Sequence, residues 1–354
     1  MLPMAVIGAG ALGRHHARIL SQMQGVRLVA VADPDAQRGQ SLADACHTRW
    51  VPDYREIVSE ISAACVVVPT SLHRVIAEDC LARNIDVLVE KPLAPSWGEA
   101  SSIVHLAKVQ QAILQVGHVE RFNPAWQAAQ PWCQQPRYVR VVRMAPFTFR
   151  STDIGVIHDL MVHDIDLILS LTASRVHRVT AWGASLMGGY PDVVQAHIEF
   201  EDGFFADITA NRVHRVAVRR WEVWARQGLV EIDFQEKTVH HTHPTQELLH
   251  GPSPLTHARS AGADLDRLRH QVYPRWLECH ELDVPTQDAL TEELREFVHC
   301  VTTRRQPTVS GEVALHTLEL ADRIASHVAK CVCDAVLTGG LSSEMPIGGL
   351  RRAG

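Results

Sequence analysis

A chain of 354 residues is long enough for two domains around a sizeable core. Apolar residues make up 46% of it and charged residues 21%, the composition of a soluble globular protein. The formal charge of −6 excludes no small ligand but argues against nucleic acid or an anionic membrane surface as partner. No apolar run approaches the roughly 18 residues of a membrane span.

Residues 4–13 read Met-Ala-Val-Ile-Gly-Ala-Gly-Ala-Leu-Gly. The apolar run predicts a strand, Gly8, Gly10 and Gly13 make the spacing G-x-G-x-x-G, and residues 14–22 carry the apolar spacing of a helix. A dinucleotide site needs that order. Gly8 permits the tight turn, Gly10 lets the backbone approach a pyrophosphate, and Gly13 lets helix and strand pack closely. The amides of Ala9, Ala11 and Leu12 at the helix start, with the helix dipole, suit the pyrophosphate charge. A second strand over 27–32 ends in Asp33, about 20 residues beyond the last glycine, where a carboxylate accepts from ribose hydroxyls and repels a 2′-phosphate. Pro34 adds no positive charge, so NAD is expected rather than NADP; Arg38 is the nearby cation that argues the other way. The bland alternative is a glycine turn with Asp33 as a cap.

The first strand begins at once, so no secretory leader is expected. Eight scattered cysteines, Cys46, Cys65, Cys80, Cys133, Cys279, Cys300, Cys331 and Cys333, read as reduced, mainly buried thiols of a cytoplasmic protein. Residues 37–46 look helical, Trp50 and Val51 mark a short strand, and Asp53 caps a helix over 53–60. A buried strand over 63–68 is broken by Pro69 and Thr70. A helix over 72–83, a strand over 86–89, a helix over 96–110 and a strand over 112–116 follow. This alternation predicts a parallel, doubly wound sheet, whose ligands bind beyond the carboxyl ends of its strands. The glycine turn, Asp33, Pro69-Thr70, Glu90-Lys91-Pro92 and Gly117-His118 all fall at those ends. Pro69, Thr70, His73, Glu90 and Lys91 are thereby expected cofactor contacts.

After Arg121 the pattern changes. A helix over 123–132, a strand over 137–144 and a helix over 156–171 lead into period-2 runs over 176–184, 193–200, 204–210, 219–225 and 228–234. Glu201-Asp202-Gly203 and Arg226-Gln227-Gly228 read as hairpin turns. These predict a mainly antiparallel sheet with one face available to a partner. Residues 240–270, rich in His, Pro, Ser and Gly, read as a long loop or lid. His240, His241 and His243, with His250 and His257, lack acidic neighbours, so a solvated loop is expected there and no metal. Helices over 291–304 and 312–331 are expected to return and pack against one or both domains, and periodicity ends at Asp334. The expected division is a NAD-binding Rossmann domain over 1–120, a substrate and oligomerisation domain over 121–333 and a tail over 334–354.

Three groups of residues can do chemistry. Lys91 sits at a strand end, biased toward extended backbone by Pro92, where its ammonium can polarise a hydroxyl or keto oxygen; a surface lysine paired with an acid fits the position equally. Asp159, His163 and Asp166 share one helical stripe, so the imidazole can take a hydroxyl proton while Asp159 fixes its tautomer; a solvated polar stripe has the same spacing. Glu120, Arg121 and Asn123, in Gly-His-Val-Glu-Arg-Phe-Asn-Pro at 117–124, offer hydrogen bonds to a polar substrate, and Arg121 suits a phosphate. The alternative there is an interdomain linker whose charges pair with each other.

These residues resemble the Gfo/Idh/MocA oxidoreductases from Met4 to about Cys331. The resemblance rests on the glycine turn, on Glu90-Lys91-Pro92, and on Asp159-x-x-x-His163 followed by Asp166. It implies a Rossmann domain joined to an α/β domain with a large open sheet, commonly buried in homodimers or homotetramers. It also implies NAD(P)-dependent hydride transfer at a sugar or polyol carbon, with Lys91, Asp159 and His163 as the catalytic group. Leu160 departs from the glycine many members carry. The phrases at 117–124 and 157–166 resemble the branch that oxidises UDP-N-acetylglucosamine at C3, toward a 3-amino sugar of lipid A. On that reading Lys91, Glu120, Arg121, Asn123, Arg150, Asp159 and His163 surround a sugar nucleotide. Another UDP-sugar, a hexose or an inositol is the alternative substrate, and a NAD-sensing regulator is the alternative outside enzymes.

Overall fold

The computed structural model describes residues 1–149 and 154–331. Arg150, Cys333 and the segment from Asp334 lie outside the described residues.

β1 (Leu2–Ile7), α1 (Ala11–Gln22), β2 (Val26–Ala32), α2 (Ala36–Ala45), β3 (Arg49–Val51), β4 (Ala63–Val66), α3 (His73–Ala82), β5 (Asp86–Glu90), α4 (Trp97–Val109) and β6 (Leu114–Gly117) follow one another as the alternation predicts. The strands form one parallel sheet in the order β3-β2-β1-β4-β5-β6. The order reverses between β1 and β4, and the glycine turn leaves β1 at that switch point, where such sheets hold ligands. The helix expected over 53–60 is a single 3₁₀ turn, Tyr54–Glu56, whose first amides Asp53 caps through Arg55 N–H.

α5 (Pro124–Ala129) starts on Asn123, whose side chain accepts from Ala125 N–H. Then come β7 (Tyr138–Met144), a π-helical turn at Ile157–Met161 and α6 (Val162–Leu171). β8 (Val176–Ala184), β9 (Val193–Phe200), β10 (Phe205–Asn211), β11 (Val218–Ala225), β12 (Gly228–Asp233) and β13 (Thr238–Pro244) continue the chain. α7 (Gln246–His250), α8 (Pro254–Ala258), α9 (Leu265–His270) and β14 (Leu277–Glu281) end this part. Its eight strands lie in the order β14-β13-β12-β11-β7-β10-β9-β8, antiparallel throughout except for the β10–β7 pair. The segment 240–270 is therefore not one loop. His240, His241 and His243 sit on β13 because Val239 and His241 alternate inward against the neighbouring strands, and His241 stacks on Trp132 at 4.5 Å.

The inner face of the large sheet packs on α5 and α6, with Trp126 edge-on to Trp221 at 5.4 Å. α10 (Ala289–Thr303) lays Leu294, Phe297 and Val301 on the α1 side of the parallel sheet. α11 (Gly311–Cys331) puts Ala314 and Leu318 into the parallel-sheet core, and Ala321, Ile324 and Val328 into the other core. One helix thus ties both sheets together. Cys46, Cys65, Cys80, Cys133 and Cys300 are buried free thiols, while Cys279 is exposed. No helix among the described residues is long and apolar enough to cross a membrane.

Candidate active site

The glycine turn is shaped by close approach. Gly8 has φ +106°, and a Cβ there would overlap the Val67 carbonyl; a Cβ on Gly13 would overlap the Gly8 carbonyl. Around Gly10 there is open space instead. α1 starts at Gly10 with no side-chain cap, so its first amides face outward for an anion. Ala9 is the exception, since its N–H donates to Asp33 Oδ2 at 2.7 Å. Asp33 Oδ1 also accepts from Asp35 N–H at 2.9 Å and from Arg38 at 2.7 Å. Burial pushes the Asp33 carboxyl up, but these donors outweigh it and hold it below the usual carboxylate range. Arg38 is therefore paired with Asp33, whose carboxylate stays ionised at the strand end where a ribose would lie. Gly8, Gly10, Asp33, Arg38 and Pro69 line a cavity of about 430 Å³ beside this turn. The turn and its cavity fit a dinucleotide.

At the end of β5 the Lys91–Pro92 peptide is cis. Lys91 Nζ donates to the Asp159 carbonyl at 2.6 Å and reaches Asp159 Oδ1 at 3.5 Å. The strand end of the first sheet thereby meets the helix that opens the second part. Asp159 was expected to fix the tautomer of His163, but it serves Lys91. The reason is local: Asp159 lies in the π turn, where the wider i→i+5 bonding rotates it off the i, i+4 line to His163.

His163, in the first turn of α6, keeps Nδ1 buried without a partner among the described residues, and Nε2 is left on the open side of the ring. Burial lowers its basicity most, and the charges of Lys91 and Arg143 lower it further, well below the ordinary imidazole value. Lys91 is likewise lowered by burial and by Arg143, against the opposing pull of Asp159 and Glu90. His118 stands edge-on to His163 at 6.4 Å between ring centroids, buried, with its own pKa lowered mainly by burial.

Below these groups lies a buried ionic floor. Arg143 donates to Asp164 at 2.7 and 2.9 Å and to Glu120 at 3.0 Å. Trp221 Nε1 adds a bond to Asp164 at 3.0 Å. Arg121 donates to both carboxylate oxygens of Asp166, at 2.6 and 3.1 Å. Glu120 and Arg121 were expected at the substrate. Each is bonded instead to a partner within the protein, Glu120 to Arg143 and Arg121 to Asp166. Asn123 bonds Glu120 at 2.9 Å and caps α5.

Two expected cofactor contacts also face inward. His73 is buried with its ring nitrogens on the Pro92 and Val68 carbonyls, both at 2.9 Å. Glu90 is bonded to the buried His16 at 2.9 Å. Behind it Glu293 keeps both oxygens buried and without a partner among the described residues, its carboxyl pushed well up by burial and then by the charge of Glu90. Thr70, by contrast, lines a second cavity of about 620 Å³ with Pro92, Gly155, His158 and Tyr190, next to but not including Lys91 and His163.

Comparison with known proteins resolves what this cradle belongs to. Residues 2–118 match the family model described as the oxidoreductase family with NAD-binding Rossmann fold, and residues 126–231 match the GFO/IDH/MocA C-terminal domain. UDP-N-acetylglucosamine 3-dehydrogenase of Acidithiobacillus ferrooxidans is 30% identical over 319 residues, 89% of this chain and 94% of that protein. The chain belongs to the Gfo/Idh/MocA oxidoreductase family. It is an oxidoreductase that uses NAD. A solved structure of the Acidithiobacillus enzyme superposes with a TM-score of 0.81 at 29% identity, covering 93% of this chain and 98% of that one. The scyllo-inositol 2-dehydrogenase (NAD(+)) of Bacillus subtilis is 27% identical over 89% of this chain and 91% of its own length.

Several members of the site were not legible from motif. Arg143 and Asp164 carry the floor, yet they lie 21 residues apart and meet only when β7 passes under α6. His118 was visible at a strand end, but nothing in its spacing placed it beside His163. His16 and Glu293 look like ordinary helix residues until both packing partners are known.

Proposed function

We propose that this Gfo/Idh/MocA protein oxidises a secondary alcohol of a sugar nucleotide to a ketone, with UDP-N-acetylglucosamine at C3 as the best-supported substrate. The observation that carries the reading is the meeting of Lys91 with Asp159 at the start of the helical segment that carries the buried ring of His163, whose basicity burial and the Lys91 charge lower. It supports an alcohol held between one cationic donor and one neutral base. The substrate itself rests on likeness: the Acidithiobacillus enzyme covers nearly the whole chain in sequence and in fold. An inositol is the second reading, favoured by the scyllo-inositol relative of similar coverage. The proposed setting is the cytoplasm, at the step that prepares a sugar for 3-amination toward lipid A.

In this mechanism the first-turn amides of α1 hold the pyrophosphate, and Asp33 accepts from the ribose hydroxyls. Bound NAD supplies the hydride acceptor. His163 accepts the hydroxyl proton at Nε2, which its low basicity keeps free at neutral pH. Lys91 donates a hydrogen bond to the same oxygen and steadies its developing negative charge. Asp159 is a positioning residue for the Lys91 ammonium. The Arg143–Asp164 pair ties β7 to α6, the helix that carries His163.

NADH formation against a panel of UDP-N-acetylglucosamine, other UDP-sugars, free hexoses and scyllo-inositol tests the reading. Turnover confined to UDP-N-acetylglucosamine, with a product lighter by two hydrogens, is expected. Turnover of inositol alone moves the assignment to the second reading, and NAD binding without turnover of any alcohol overturns both.

A further inference from the structure

The geometry points to a divalent transition-metal site at the free edge of the large sheet, built from His243, Glu278 and His280. Among the described residues β14 is the outermost strand and pairs with β13 alone. His243 and Glu278 are directly opposite in that pair. His280 is two residues along β14 and so stands on the same face, while Cys279 points to the other. Three ligand-type side chains therefore converge without any loop having to move.

The distances suit a shared ion. Glu278 Oε2 lies 3.8 Å from His243 Nε2 and 3.5 Å from His280 Nε2. All three ligand atoms lie within 4.8 Å of one another. An ion with zinc-like bonds of about 2.0–2.2 Å would set tetrahedral ligand atoms about 3.4 Å apart. The two rings stack at 5.4 Å between centroids, which points both Nε2 atoms at the same oxygen. His243 Nδ1 faces the Pro244 carbonyl at 3.3 Å, the contact that commonly fixes a ligating imidazole and leaves Nε2 for the metal.

Two imidazoles and one carboxylate select a zinc-like ion over calcium or magnesium, which prefer all-oxygen sets. His243 and Glu278 are half-buried and His280 is exposed, so a fourth position is open to water. The site also has a structural consequence. Residues 244–277, with α7, α8 and α9, form an insertion whose two stems are His243 and Glu278. An ion there closes the insertion at its base and limits the freedom of the unfolded loop.

Calorimetric titration of zinc into the chelator-treated, tag-free full chain tests this, with cobalt absorption reporting coordination by nitrogen. One ion per chain is expected, with micromolar or tighter affinity and a rise in Tm. Glu278→Gln, His243→Ala and His280→Ala should each weaken binding at least about tenfold, and the double histidine variant should lose both the binding and the rise in Tm. Circular dichroism and NAD binding of each variant, unchanged, exclude misfolding. Zinc binding that survives in the double variant, or no zinc uptake at high micromolar concentration by the unaltered chain, overturns the site.

Discussion

His163 is made a base by what surrounds it rather than by its own chemistry. Burial and the charges of Lys91 and Arg143 keep it neutral, and burial also lowers Lys91. The signs give a pH profile. Protonated His163 takes no proton, so the acid limb of kcat/KM, which reports the free enzyme, should fall well below the ordinary imidazole range. Loss of the Lys91 proton removes a donor, so the alkaline limb should begin below the ordinary lysine value. An acid limb at or above the ordinary imidazole value would contradict this. Asp33 makes the second residue-scale prediction. Asp33→Asn removes a charged hydrogen-bond partner of the ribose, worth about 1.5–3 kcal/mol. The ratio of kcat/KM for NAD over NADP should therefore drop roughly tenfold or more, measured with both cofactors on the same variant. Lys91, His163 and Asp33 were legible in the sequence because motifs mark them. The partner of Lys91 was not, because a π turn cannot be told from an α turn by apolar spacing.

At the scale of elements, α6 is held on β7 by Arg143. Arg143→Met leaves the Asp164 carboxylate buried without its cation and Glu120 with only the more distant Arg219, at 3.8 Å. Breaking such a pair costs about 3–5 kcal/mol. Urea unfolding should show that loss, and turnover should fall with it as the helix carrying His163 loses its tie to β7; an unchanged midpoint would refute the role of the floor. The parallel strands were readable because each is a short apolar run followed by a helix. The antiparallel strands were readable from period-2 alternation, as in Val193–Phe200. β13 was missed because histidines and threonines, and β14 because glutamates and a histidine, fill positions that hydrophobic residues usually mark.

The whole molecule is two sheets joined by α11, with the cradle of one facing the helix of the other. The outer face of the large sheet carries an aromatic row: Trp224 opposite Tyr138, Tyr138 stacked on Phe205 at 6.0 Å and Phe205 on His197 at 5.8 Å. Trp224 and Trp182 are about half exposed on it. We propose that a second copy covers this face, as exposed aromatic patches of that kind mark contact surfaces. Sedimentation of the Trp224→Glu chain should show a smaller species than the unaltered chain, which should run as a dimer or tetramer; a monomer for both would contradict it. Oligomerisation was expected from family likeness, while the aromatic row itself appears only once strand register brings residues of β11, β7, β10 and β9 together.

The central claim is that an ammonium from the first sheet and an imidazole from the second act on one alcohol. Its most direct measurement is NADH formation from UDP-N-acetylglucosamine by the His163→Ala chain, with NAD affinity measured in parallel. A fall in turnover of about 10²–10⁴ with NAD affinity unchanged is predicted. Turnover close to that of the unaltered chain would contradict the account.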